Sequence, residues 1–320
     1  MLLLSTWLLV GCDLTSAPSE GPAEERFFEV PAGATARGLK DSLADAGLVK
    51  DGWRWEWWLR TGADGSCIKA GRHRVRADMD APTLLAALCG APVPNDEPFT
   101  VVEGWRARDI DAALAAKGWI KPGDYLAATA QVTAYTAPFP LPTNGTLEGY
   151  LYPETYKVEP EGFDAKKLVQ RQLDTFAQRF WTGRTFADRS LQAVVTMASL
   201  IEREEPSPTN RPLVAGILWR RIDAGWNLGV DATSRYTLDD WNDRTAFLGK
   251  LRDPGDPWNT RLKPGLPPTP IGNPGIAALE AAAAPTASEY WYYLHDADQV
   301  LHPSRTEAEH EAYRRKYNVY

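Results

Sequence analysis

The chain of 320 residues is long enough for two or three domains, each with its own core. A content of 44% hydrophobic and 24% charged residues excludes wholesale disorder, and a formal charge of −7 argues against a nucleic-acid partner, which needs a basic face. Thirteen Trp and twelve Tyr supply flat rings that either fill cores or stack on sugars.

Residues 1–12 form an apolar run ending in Leu9-Val10-Gly11-Cys12. The run is too short to span a bilayer, which takes about 20 residues, and reads as the apolar part of a signal peptide. Its ending resembles the bacterial lipobox, which makes Cys12 the expected lipidation site. Asp13 directly after it resembles a signal for retention at the inner membrane. Acyl chains there would hold the protein on the extracytoplasmic face of the cell membrane. Residues 13–25 are small, polar and Pro-containing and read as a tether. Of the other cysteines, Cys67 and Cys89 either pair or remain as buried thiols. No Cys/His spacing points to a metal, and no cofactor motif is present.

An ungapped internal repeat follows. Phe28-Glu29-Val30-Pro31-Ala32-Gly33 matches Phe99-Thr100-Val101-Val102-Glu103-Gly104, and the register continues through Leu39 with Ile110, Leu43 with Leu114 and Gly47 with Gly118. Each copy reads as a strand, a Gly turn, an amphipathic helix and a Gly stop. The pattern resembles a LysM half-unit, which binds glycan strands. Packing modules without a ligand are the other reading. Between the copies, Trp53–Trp58 predicts a helix with aromatics on two faces, Ile68–Val75 a strand with a turn, and Thr83–Leu88 a short helix.

The segment from Ser190 to Glu205, followed by Pro206, predicts a helix buried nearly all round. Glu202 lies on its stripe of Leu191, Val195 and Ala198. A carboxyl there is desolvated and able to hold a proton near neutral pH, as a general acid must. On pattern alone, a satisfied structural carboxylate fits as well. Glu204 and Glu205 are expected to be solvated. Further on, Asn273 with Pro274 predicts a helix N-cap leading into 277–284. Tyr290–Leu294 predicts a strand able to pair with Val300–His302, and Ser304 with Glu307 a capping box for the last helix. His302 and His310 read as structural.

Several ordered motifs surround Glu202. They are Leu147-Glu148-Gly149-Tyr150-Leu151-Tyr152-Pro153-Glu154-Thr155-Tyr156, Val214–Ile222, Asp231-Ala232-Thr233, Trp258-Asn259-Thr260-Arg261, Gly265–Ile271 and Asn273-Pro274-Gly275. In this order they resemble the MltG/YceG family of endolytic murein transglycosylases, over about residues 26–320. The resemblance implies an α+β fold, with LysM-like modules over 26–139 and a mixed catalytic domain over 140–320. It implies Glu202 as catalytic acid/base, and Glu148, Tyr150, Tyr152, Asp231, Thr233, Asn259 and Thr260 as substrate-binding. It implies peptidoglycan strands as substrate, cell-wall synthases as partners, and neither metal nor cofactor. Arg220, Trp226, Gly229 and Ala232 depart from the family pattern, which keeps a non-catalytic glycan-binding scaffold open. A muramidase that adds water, with Asp231 as its second carboxylate, is the other alternative.

Overall fold

The computed structural model describes residues 23–143, 145–186 and 188–319. Cys12 and most of the expected tether lie outside the described residues. The described chain mixes helix and sheet, as an α+β fold requires, in two compact units divided between Asp96 and Glu97. This division separates the two copies of the repeat, rather than following both at residue 139.

In the first unit, β1 (Arg26–Val30) is followed by helices α1 (Lys40–Asp45) and α2 (Gly52–Arg60). Strand β2 (Gly71–Val75) pairs antiparallel with β1, setting Phe28 opposite His73, and α3 (Ala81–Cys89) closes the unit. Asp80 caps α3 by accepting from Thr83 N at 2.9 Å. Val30, Leu39, Leu43, Leu48, Trp55, Val75, Leu84 and Leu88 form the core. A core this small is marginal by itself, and the Cys67–Cys89 disulfide braces it. Trp55 is buried and donates to Ala36 O at 2.7 Å, whereas Trp53 and Trp57 of the same helix are exposed.

The second unit opens with β3 (Glu97–Thr100) and α4 (Ala107–Ala116). The two copies share their glycine turns. Gly33 and Gly104 adopt φ of +76° and +79°, and Gly47 and Gly118 adopt +60° and +73°, all in the left-handed region that favours glycine. After α5 (Asp124–Thr129), β4 (Thr155–Val158) pairs antiparallel with β3. Helix α6 (Ala165–Phe176) runs into a π-helical turn at Ala177–Trp181. Helices α7 (Leu191–Glu204) and α8 (Arg211–Asp223) follow, then the short α9 (Asp231–Arg235) and α10 (Arg244–Lys250). Helix α11 (Ile276–Ala283) packs on both α7 and α8. The unit ends with the antiparallel pair β5 (Tyr292–His295) and β6 (Leu301–Ser304), followed by α12 (Glu307–Tyr317).

Helix α7 is central, as its composition predicts: Val194, Val195, Met197, Ala198, Leu200 and Ile201 are at most 1% exposed. Ser190 caps it by accepting from Ala193 N, and Pro206 stops it. Two local expectations need correction. The last helix is capped by Thr306, which accepts from Glu309 N, while Ser304 is buried at the end of β6. Asn273 is not the cap of α11, a position taken by Gly275. It sits between segments and binds both.

Candidate active site

Glu202 occupies the last turn of α7, with its side chain only 6% exposed. The carboxyl has partners on both oxygens. Arg211 donates from Nη2 to Oε1 at 2.6 Å and from Nη1 to Oε2 at 3.4 Å. Gly275 N–H donates to Oε2 at 2.9 Å. The same guanidinium donates from Nε to Glu205 O at 3.0 Å, satisfying a carbonyl that the end of α7 leaves without a helical partner. Arg211 therefore fixes Glu202 and the helix terminus together, and its own side chain is 6% exposed. Buried on both sides, this pair is held as a rigid unit.

The neighbouring acids depart from expectation as well. Glu205 is fully buried, with Oε1 accepting from Ser207 N at 2.8 Å and Oε2 facing His295 Nε2 at 2.9 Å. Glu204 accepts from the Tyr293 hydroxyl at 2.9 Å, and burial raises its pKa. Neither is a solvated residue of a frayed turn.

The wall beside Glu202 is built by two segments whose backbones pair. Gly104 N donates to Asn273 O at 2.7 Å, and Asn273 N donates to Trp105 O at 2.8 Å. Arg203 reinforces the pairing by donating to Gly104 O. The approach leaves no room for side chains on the loop. A Cβ on Gly272 would fall 2.4 Å from Gly104 O, and one on Gly275 would fall 2.0 Å from Glu103 Oε1. Backbone closeness requires glycine at 272, whereas at 275 a side chain would have to displace the Glu103 carboxylate. The Glu103 carboxylate thus lies over Gly275, whose N–H holds Glu202. Burial raises the Glu103 pKa, the charge of Glu202 adds to the rise, and Arg211 offsets part of it. Glu103 is exposed as a whole residue, but its acid end rests on the Gly275 face.

Glu148 is 3% exposed and braces the same wall from behind. Its carboxylate accepts from Ala107 N at 3.0 Å, Asn273 Nδ2 at 3.0 Å and the Tyr236 hydroxyl at 3.2 Å. Burial pushes its pKa up to about 7, against these hydrogen bonds. Asn273 completes the brace, since its Oδ1 accepts from Gly149 N at 2.8 Å and Leu151 N at 3.1 Å.

The remaining expected binding residues fall into three groups. Tyr150 is 1% exposed among Phe139 and Phe176, and donates to Gln192 Oε1 at 2.8 Å. It packs as a core residue. Thr233, Asn259 and Thr260 are at most 2% exposed. Thr233 and Thr260 share a hydroxyl contact of 3.0 Å and tie down Val230, while Asn259 Nδ2 binds Lys250 O and Leu251 O. These three brace loops, because their polar atoms are engaged and enclosed. Tyr152 is 6% exposed, and the charge of Glu103 reaches it. Asp231 is half exposed and bound by Arg261 at 2.5 Å.

Two of the positions that depart from the family pattern, Arg220 and Trp226, meet on one ring. The Arg220 guanidinium lies 4.1 Å from the Trp291 ring centroid, and Trp226 stacks on the same ring at 4.5 Å. This sandwich stands at the far end of α8 from Arg211 and leaves the Glu202 pair untouched.

Arg211 and Glu103 were not legible as site residues from local spacing. Arg211 is separated from Glu202 by a helix break, so no helical period relates them. Glu103 did leave a signal: the first copy of the repeat carries Ala32 at its position.

Among known proteins, the family model described as the YceG-like family matches residues 28–316. The chain is 25% identical over 306 residues to a Bacillus subtilis protein named endolytic murein transglycosylase, covering 91% of this chain and 84% of that one. It is 23% identical over 296 residues to a Streptococcus pneumoniae protein of the same name, covering 83% of this chain and 53% of that longer protein. A crystal structure of a YceG-like protein from Listeria monocytogenes shares the fold, with a TM-score of 0.61 and 24% identity, over 91% of this chain and all of the other. With almost its whole length matched, the chain belongs to the YceG-like family.

Proposed function

We propose that the chain is an endolytic peptidoglycan lytic transglycosylase, a carbon–oxygen lyase that cuts the MurNAc–GlcNAc β-1,4 bond of glycan strands and leaves 1,6-anhydroMurNAc ends. The observation that carries this reading is the buried Glu202–Arg211 pair at the end of α7, in a chain whose relatives are named endolytic murein transglycosylases. In the simplest scheme, Glu202 protonates the leaving oxygen and then takes the proton of the C6 hydroxyl as that oxygen closes on C1. The attacking hydroxyl belongs to the sugar being cut, so its effective concentration is high and no activated water is needed. Because Asp231 is engaged by Arg261, it is not a ready base for water.

The first unit serves as a LysM-like glycan-binding module in this reading, supported by the exposed Trp53 and Trp57 on one helix. Cys12 carries the lipid that keeps the enzyme at the outer face of the cell membrane, near nascent strands and the synthases that make them. Digestion of purified strands, with mass analysis of the new ends, tests the activity. Ends lighter by one water than reducing ends are expected, and reducing ends would identify a muramidase instead.

A further inference from the structure

Glu103 and Glu202 flank a single glycine. The N–H of Gly275 donates to Glu202 Oε2 at 2.9 Å, and the place where its Cβ would stand lies 2.0 Å from Glu103 Oε1 and 2.3 Å from Glu103 Cδ. Gly104, next to Glu103, touches Glu202 in turn, with a hypothetical Cβ 3.4 Å from Glu202 Cγ. Two carboxylates are thus brought to one patch of backbone by a repeat turn and a helix end far apart in sequence.

Their surroundings are unequal. Donors occupy both oxygens of Glu202, two from Arg211 and one from Gly275, so it is set up as an acceptor. Among the described residues, no donor reaches the carboxylate of Glu103. Burial and the nearby charge of Glu202 both raise its pKa, which favours its protonated form. Glu103 is exposed, whereas the Glu202 side chain is 6% exposed.

Nor is Glu103 needed to form its turn. In the first copy of the repeat, Ala32 takes its place, and the turn is the same. Ala34 N donates to Pro31 O at 3.1 Å, Trp105 N donates to Val102 O at 3.1 Å, and both copies place glycine at nearly the same positive φ. An acid that the turn does not require, stationed beside a catalytic carboxylate, calls for a chemical role.

We propose that Glu103 is the general acid of the reaction, giving its proton to the leaving oxygen, and that Glu202 is the base that receives the proton of the C6 hydroxyl. The C1–O4 bond breaks, and O4 keeps the electron pair and takes the Glu103 proton. The C1–O6 bond forms as the O6 proton passes to Glu202. No water is consumed, and solvent returns the proton from Glu202 to Glu103 before the next turnover. This assignment rests on the transglycosylase reading above and replaces its single acid/base with two residues.

The leaving group provides the test. Wild type, Glu103→Gln and Glu202→Gln are compared on purified glycan strands and on a muramoyl glycoside with a nitrophenolate leaving group, which departs without protonation. Glu103→Gln is expected to slow strand cleavage by about 100- to 10,000-fold and to regain near-wild-type rate on the nitrophenyl substrate. Glu202→Gln is expected to fail on both. The high-pH limb of kcat/KM on strands should disappear in Glu103→Gln. Glu103→Ala, which copies the turn of the first unit, controls for misfolding. Strand cleavage at the wild-type rate by Glu103→Gln would overturn the assignment, as would nitrophenyl rescue of Glu202→Gln but not of Glu103→Gln. If wild type itself yields reducing ends, the transglycosylase reading fails, while the leaving-group comparison still identifies the proton donor.

Discussion

Glu148 links the wall behind the active site to the pH dependence of stability. It is 3% exposed, and burial lifts its pKa from 4.5 to about 7. An acid whose folded pKa is raised supports the fold fully below its unfolded value and loses that support as pH rises through the folded one. The loss therefore runs from about pH 4.5 to just above pH 7, and its size is roughly 3 kcal/mol, at about 1.4 kcal/mol per pH unit. Glu148→Gln removes the ionisation and keeps the shape. The amide oxygen can still accept from Ala107 N and Asn273 Nδ2, and its NH₂ can donate to the Tyr236 hydroxyl. Urea unfolding of the full chain from pH 5 to pH 8, fitted for the transition of the larger unit, measures the difference. Wild type should lose more stability over this range than the variant, by roughly 2–3 kcal/mol, since part of the loss has already occurred by pH 5. Because Glu204 titrates in both proteins, it cancels in the comparison. Parallel pH curves for the two proteins would refute the reasoning.

Three further outcomes follow from the same geometry. Gly275→Ala should keep the fold, since its φ of −77° suits any residue, but the new Cβ must push out the Glu103 carboxylate; strand cleavage should fall while thermal unfolding shifts little. Arg211→Met leaves Glu202 buried without its cation and should cost about 3–5 kcal/mol, much of it recovered in the double variant with Glu202→Gln, as a denaturation cycle would show. Reducing Cys67–Cys89 opens a loop of 22 residues and should destabilise the first unit by about 3 kcal/mol, lowering its calorimetric transition but not that of the second unit.

Features set by neighbours along the chain were legible in the sequence. The central helix α7, the pairing of β5 with β6 and the glycine turns of the repeat all follow from local pattern and backbone preference. The split between the repeat copies was hidden, because β3 finds its partner in β4, with Thr100 opposite Thr155. Pairing over that distance leaves no periodic trace. Asn273 misled for a related reason. Asn-Pro is a good local cap signal, yet the approach of residues 104–105 gives the side chain four hydrogen bonds that outweigh capping. Thr233, Asn259 and Thr260 carry polar groups suited to sugars, but folding encloses them, and enclosed polar atoms must pair internally. Glu202 was visible as a buried acid at a helix end, whereas its cation was not.

The most direct test of the account is digestion of purified glycan strands by wild type and by Glu202→Gln, with mass analysis of the chain ends and circular dichroism to verify folding. Wild type should release anhydro-ended fragments and the folded variant none. Anhydro ends released by Glu202→Gln at the wild-type rate would contradict the account.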